Sequence, residues 1–298
     1  MNISISKNQV IKDRLVHYFV LSIYLNLFIV TVFNFINWDL KFIDTSEIKR
    51  FKGYLNILTI LVLILPFIKK TKMNIFPYLV LIPNLWLSNC NSAILGVLIA
   101  LIALSLFYIY QNIFRFKILF YALFFIALTL SSQILLNLPE NLDKESIQTQ
   151  KFIVPTFLVD VHRQYIWSFS IKKISEKPLL GYGPDTSNFI EGSQEIIGSK
   201  YTGTMPYIPS HPHNFILEII LDTGLIGLVG FIFFIFYYNF KIFRKSDDKG
   251  KFLLILFFFY FWGSSLVNFS FWLGWWQVSY FFITSLISSF NLSKNQKT

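Results

Sequence analysis

The sequence predicts an all-α polytopic membrane protein of about eight transmembrane helices with one large loop on the outer face, and three observations carry that reading. Of 298 residues, 54% are hydrophobic and only 14% charged, too little charge to cover a soluble domain of this length. Several apolar runs reach the ~20 residues that a helix needs to cross a bilayer. They are solidly apolar rather than alternating, which excludes a transmembrane β-barrel. Finally, one stretch breaks the pattern: from 137 to 213 the composition turns polar, with charge and loop residues throughout.

The apolar segments before the loop are 15–36, 54–68, 75–88, 93–110 and 116–136; after it come 214–238, 252–269 and 273–290. The chain therefore falls into three parts: 1–136, the loop at 137–213, and 214–298. Lys7, Lys12 and Arg14 precede the first segment as they would in a signal peptide. That run is too long for a signal's apolar region and no small-x-small site follows it, so it reads as a retained span. Pro77 and Pro83 fall in the third segment, where a membrane helix tolerates them. Tyr237 and Tyr238 close the segment after the loop, and Trp275 and Trp276 open the last one, as interface anchors.

Within the loop, residues 139–151 are polar and charged, whereas 161–174 have helical periodicity. Ile166, Trp167, Phe169, Ile171 and Ile174 favour one side, with Lys172, Lys173 and Lys177 toward the other. The spacing predicts an interfacial amphipathic helix resting on the membrane surface, stopped at Pro178.

A formal net charge of +10 would suggest nucleic acid in a soluble protein. Here the basic residues gather at the N-terminus, at 69–72, 115–117 and 241–251, and in the tail, which orients both termini inside and the loop outside. No basic stripe interleaved with aromatics is present, so no nucleic-acid partner is expected. Cys90 is the single cysteine, which rules out a disulfide within the chain and a thiolate metal site. Without HExxH, a His pair at helical spacing or a carboxylate cluster, neither a metal nor another cofactor is expected.

His213 stands at the outer mouth of the segment that follows the loop. An imidazole there can take a proton from a hydroxyl or donate to a phosphate oxygen near neutral pH. Its plainer role is that of a loop residue capping beside His211. Arg163 has the fork that holds a phosphate with two parallel hydrogen bonds; the alternatives are snorkelling to headgroups or stacking on Trp167. Asn214, Glu218 and Asp222 share one helix face. Acids at membrane depth are functional candidates, but if those first turns stand above the hydrocarbon they are simply solvated and complement the helix N-terminus. Gly224, Gly227 and Gly230 leave a smooth stripe suited to helix packing. The run from Gly181 through Gly183 to Asp185 is a turn through which backbone can approach a sugar or phosphate.

Taken together, Arg163-x3-Trp167, Glu176-Lys-Pro178-Leu-Leu-Gly181-Tyr-Gly183 and His213-Asn214-x9-Gly224-x2-Gly227 resemble the O-antigen ligase/O-antigen polymerase superfamily. The resemblance implies a metal-independent glycosyltransferase at the periplasmic face of the bacterial inner membrane. It would take a glycan from an undecaprenyl-diphosphate carrier. The acceptor would be lipid A–core in the ligase branch, a further repeat unit in the polymerase branch, or a protein hydroxyl. Arg163 would hold the diphosphate and neutralise charge on the departing oxygen. His213 would orient or deprotonate the attacking hydroxyl, or assist at the diphosphate. Asn214, Lys172, Lys173, Lys177, Gly181, Gly183 and Glu218 are the implied substrate contacts.

The chain departs from the family pattern in three places. The family's second loop arginine is absent, which leaves Lys172, Lys173, Lys177 and Lys200 as point charges in its stead. Within 87–102, Asn91-Ser92-Ala93 stands where the family carries a Ser-Arg pair. Fewer apolar segments precede the loop than is usual. A non-catalytic membrane partner or a lipid-linked-oligosaccharide transporter is the reading from another class. It would need a polar path through the bundle, which 93–110, 116–136 and 252–269, nearly devoid of ionisable residues, do not offer.

Overall fold

The computed structural model describes residues 9–40, 45–68, 75–88, 90–112, 160–198 and 203–295. The expected span at 116–136, the polar stretch at 139–151, the basic connections at 69–72 and 115–117, and Lys200 lie outside the described residues. The α-helices among the described residues are α1 (Gln9–Leu40), α2 (Thr45–Ile68), α3 (Phe76–Leu87), α4 (Asn91–Asn112), α5 (Val161–Glu176), α6 (Phe215–Lys245), α7 (Asp248–Ser265) and α8 (Gly274–Asn295). The sole β pairing among the described residues is an isolated bridge between Ile196 and Pro206. Val16–Ile36, Asn91–Gln111 and Phe215–Lys245 are long and apolar enough to cross a membrane; Phe51–Leu65 and Phe76–Leu87 are shorter apolar helices. Pro77 sits in the first turn of α3, where its missing N–H costs nothing, and only Pro83 is interior.

The chain forms two compact units. The first comprises Met1–Ser105, Tyr237–Ser264 and Trp275–Thr298. Here α1, α2 and α3 pack on one another, and the few polar side chains in their apolar faces pair with each other. Asn34 Nδ2 donates to Asn84 Oδ1 at 2.8 Å, Asn84 Nδ2 to Thr31 Oγ1 at 2.9 Å, and Ser88 Oγ to Asn34 Oδ1 at 3.2 Å. Asn56 Nδ2 donates to Ser92 Oγ, and Tyr260 of α7 donates to Asn56 Oδ1. Glycine is needed where α4 meets α7: a Cβ on Gly96 would come within 2.9 Å of the Tyr260 carbonyl.

Trp276 departs from expectation. It is not an interface anchor but a buried residue, 1% exposed, stacked on Phe261 with centroids 4.2 Å apart and planes 13° from parallel. Its neighbour Trp275 is 47% exposed. An aromatic run read from sequence cannot say which ring faces inward, because that depends on the helix's rotation against α7.

The second unit comprises Leu106–Phe236 and Ser265–Gly274. In it α5 is helical over the predicted stretch, but its apolar side serves another purpose. Ile166 and Trp167 are buried against Ile190, Ile208, Leu217 and Leu221, with Phe169, Ile171 and Ile174 packed alongside. The side expected to rest on lipid therefore builds the core of the loop itself. Beyond the 3-10 turn Ser187–Phe189, Ile208 N–H bonds Ser193 O at 2.9 Å and Ile197 N–H bonds Met205 O at 3.1 Å. Phe169 stacks on Tyr207 at 5.2 Å. These contacts lead the chain back over α5 toward His211 and His213.

Replacing Trp276 by Ala should cost about 3–5 kcal/mol as a buried aromatic truncation, read as a lower unfolding midpoint in detergent. Trp275→Ala should cost under about 1 kcal/mol. Equal losses would contradict the assignment of the inward ring.

Candidate functional site

The site is built around a break in α6. Gly224 has φ 69° and ψ −174°, a backbone region essentially restricted to glycine. The break strands peptide groups that a continuous helix would pair internally. The segment after α5 takes them up. Tyr182 N–H donates to Leu221 O at 2.9 Å and Gly183 N–H to Asp222 O at 2.8 Å. In the other direction, Leu225 N–H donates to Pro178 O at 2.8 Å and Ile226 N–H to Leu179 O at 3.4 Å. The approach is close enough to exclude side chains: a Cβ on Gly181 would lie 2.6 Å from Leu221 O, and one on Gly224 would collide with the Leu179 carbonyl.

Gly224, Gly227 and Gly230 therefore do not form one packing stripe. Gly224 makes the break, a Cβ on Gly227 would strike Thr223 of its own helix, and Gly230 faces open space. Gly181 and Gly183, expected at substrate, hold this turn against α6.

The face shared by Asn214, Glu218 and Asp222 is real, and the acids on it are not solvated. Glu218 and Asp222 are both 0% exposed, because their oxygens bind surrounding chain. Glu218 accepts from Ser270 Oγ and Phe271 N–H, each at 2.6 Å. Asp222 accepts from Ser187 Oγ at 2.9 Å, Asp185 N–H at 3.1 Å and Trp272 Nε1 at 2.6 Å. Asn214 Oδ1 caps α6 by accepting from Ile216 and Leu217 N–H. As placed, all three oxygen-bearing groups are engaged within the fold.

His213 and His211 meet at one backbone carbonyl. His211 Nε2 lies 2.8 Å and His213 Nδ1 3.0 Å from Asn268 O, with the rings 4.1 Å apart. A carbonyl only accepts, so both nitrogens carry the proton. Neutral His213 is consequently the Nδ1–H tautomer, with an acceptor lone pair on Nε2. His211 is the opposite tautomer, and its Nδ1 accepts from Ser210 at 2.9 Å. His213 has φ 54°, a conformation that His adopts more readily than most residues. Trp167 of α5 steadies this stretch from beneath by donating to Pro212 O at 3.0 Å.

Arg163 lies in the first turn of α5, whose N-cap is Asp160. The Asp160 carboxylate accepts from Arg163 N–H at 3.0 Å and pairs with its guanidinium at 3.3 Å. The Arg163 side chain is 27% exposed. Its charge reaches both rings. Burial first, then neighbouring His211, Arg163 and His162, push His213 down to about 4. Burial and Arg163 likewise lower His211. Arg163 thus lies near enough to both rings to disfavour their charged forms.

Lys172, Lys173 and Lys177 are not part of that cluster. Lys173 follows Arg163 by ten residues, about 15 Å along the helix axis. It pairs with Glu176 at 3.1 Å, and Lys177 sits over the Tyr182 ring at 4.5 Å. Sequence reasoning missed His162, whose Nε2 donates to Pro206 O at 2.9 Å, and Asn268. The first was detectable as the neighbour of Arg163. The second contributes a main-chain oxygen, which no side-chain pattern reveals. Among the described residues, no group of three or more His, Cys, Asp or Glu is arranged to hold a metal ion.

The class defined by these features is a helical membrane protein whose polar loop carries a partly buried histidine pair on one main-chain carbonyl. The chain belongs to the O-antigen ligase family, whose profile matches residues 76–232, just over half of it. Provisionally named polysaccharide ligases of Rickettsia are similar to it. The Rickettsia conorii protein is 31% identical over 140 residues, which are 46% of this chain and 32% of that one. The Rickettsia typhi protein is 31% identical over 175 residues, 58% and 41% of the two chains. The Rickettsia felis protein is 46% identical over 68 residues, 22% and 16%. The chain spans less than half the length of these relatives. No solved structure matches it. Membership and the apolar helices make it a bacterial membrane protein.

Two expectations follow. Gly224→Ala, in a backbone region that costs other residues about 1–3 kcal/mol and against Leu179, should destabilise the protein, whereas Gly230→Ala should stabilise it by about 0.5–1 kcal/mol. Thermal unfolding in detergent reads both, and equal effects would contradict the exchange at the break. The second concerns pH. Folded His213 titrates at about 4 against an ordinary 6.5, so the unfolded chain binds that proton first. The stability held by neutral His213 is whole above 6.5 and lost as pH falls toward 4. Denaturant midpoints across that window should fall more steeply in wild type than in His213→Asn; parallel lines would refute the shift.

Proposed function

We propose that this protein transfers a glycan from an undecaprenyl-diphosphate carrier to an acceptor hydroxyl at the periplasmic face of the inner membrane, as an O-antigen ligase-like glycosyltransferase. The observation that carries this is the tautomer of His213: Nδ1–H held on Asn268 O, an Nε2 lone pair, and the Arg163 charge close by. Nε2 takes the proton of the acceptor hydroxyl as its oxygen attacks the anomeric carbon. The bond from that carbon to the diphosphate breaks, and the carrier leaves with the electron pair. Arg163, held along one edge by Asp160, offers its guanidinium to the diphosphate and neutralises the charge that develops there.

The lowered pKa of His213 leaves the ring neutral throughout the physiological range, so the Nε2 lone pair is available to an incoming hydroxyl. Lipid A–core is the acceptor favoured by the family name, with a growing glycan as the polymerase alternative. In this reading the chain crosses the membrane eight times with both termini inside, supported by the basic residues at 241–251 and in the other inner connections.

In reconstituted membranes supplied with a lipid-diphosphate-linked glycan, His213→Ala should lower transfer by about 10²–10⁴-fold. Arg163→Ala should cripple it, and Arg163→Lys should recover little because the planar fork is lost. Wild-type transfer by a correctly inserted His213→Ala protein would remove the catalytic reading.

A further inference from the structure

The proposed chemistry needs the lone pair on His213 Nε2, yet a free neutral histidine ring prefers to carry its proton on that very nitrogen. Something must hold the proton on Nδ1, and the acceptor that does so is the Asn268 carbonyl at 3.0 Å. Asn268 belongs to the short connection between α7 and α8. A connection of this kind has no helical ladder to fix the direction in which one of its carbonyls points.

Two buried acids of α6 supply that constraint. Glu218, a little over one turn beyond His213, takes Ser270 Oγ on one oxygen and Phe271 N–H on the other, both at 2.6 Å. Asp222, one turn further, takes Trp272 Nε1 at 2.6 Å. The connection is closed on itself by Trp272 N–H bonding to Ser270 Oγ at 3.1 Å. The bonds therefore run in a ring: from His213 along α6 to Glu218, across to Ser270 and Phe271, back to Asn268, and through its carbonyl to the imidazole. His211 takes a second position on the same carbonyl at 2.8 Å.

Apolar side chains would tie the connection to α6 at less desolvation cost than buried carboxylates. What the acids add is direction, because hydrogen bonds to a carboxylate fix rotation as well as distance.

We propose that Glu218 is a positioning residue for His213: through the Asn268–Trp272 connection it aims the carbonyl that keeps the ring in its Nδ1–H tautomer. Asp222 anchors the same connection from the next turn. The inference rests on His213 acting as the base, and it assigns Glu218 no contact with substrate.

The test uses the full chain reconstituted in lipid with 15N-labelled histidine, comparing wild type, Glu218→Gln, Ser270→Ala and His213→Ala. The ring-nitrogen spectrum reports which nitrogen bears the proton, and His213→Ala identifies the signal. In wild type Nε2 of His213 should be unprotonated. In Glu218→Gln the proton should shift to Nε2 in a large fraction of molecules. Its kcat should fall about 10- to 100-fold while the KM for donor changes less than about twofold. Ser270→Ala removes one bond of the ring and should move both readouts the same way by less. If Glu218→Gln does not insert, Ser270→Ala decides alone.

An inserted variant with an unchanged His213 tautomer, or one that raises KM and leaves kcat intact, overturns the proposal. If His213→Ala itself keeps full transfer, the base assignment falls. The tautomer measurement still decides whether Glu218 sets the ring, so the two failures are told apart.

Discussion

At Gly224 the backbone of α6 leaves helical geometry, and peptide groups of Leu221, Asp222, Leu225 and Ile226 pair with Pro178–Gly183 instead of with each other. In a helix apolar enough to cross a membrane, unpaired groups of this kind are prohibitively expensive. The break and the turn are therefore obligatory to one another. The glycines on both sides are what allow two backbones to approach closely enough to exchange bonds. Much else in the second unit follows. The turn fixes where α5 ends, and α5 carries Arg163 in its first turn. The same helix whose break receives the turn begins just after His213. Cation and imidazole are thus referred to a common junction, although fifty residues of sequence separate them.

Burial then acts on the two groups in opposite ways. His213 is largely withdrawn from water, and desolvation keeps it neutral with its ring proton directed at Asn268. Arg163 retains access to solvent and an acidic partner that steadies it without enclosing it. In the proposed reaction the first would receive a proton and the second would meet an anion. The buried acids of α6 take no part in either task directly: every oxygen of theirs faces a donor from the surrounding loops. They are to the tertiary structure what a cap is to a helix.

Much of this was legible in the sequence, and the limits have physical causes. Apolar length gave the spans at 15–36, 93–110 and after the loop, because transfer to hydrocarbon depends on composition alone. Helical periodicity gave α5, and residue type singled out Arg163 and His213 as candidates. Which surface α5's apolar side would cover was not in its periodicity, since a membrane and a protein core present the same demand. Gly224 belonged to a stripe with Gly227 and Gly230 by spacing, yet only its backbone is non-helical, a distinction made by a partner segment forty residues away. The same is true of Trp275 and Trp276, and of a main-chain oxygen at Asn268. What escaped was in each case set by a distant neighbour rather than by local pattern.

Trp167 offers a last consequence. Its indole is buried in the loop's core while its N–H grips the carbonyl between the two histidines. A tryptophan so lodged cannot swing, and α5 cannot slide past the His211–His213 segment without extracting it. The seating of the His211–His213 segment on α5 is accordingly a property of the resting protein. In the proposed reaction an incoming lipid-linked glycan would meet that segment already seated on α5, and turnover would not wait on its assembly.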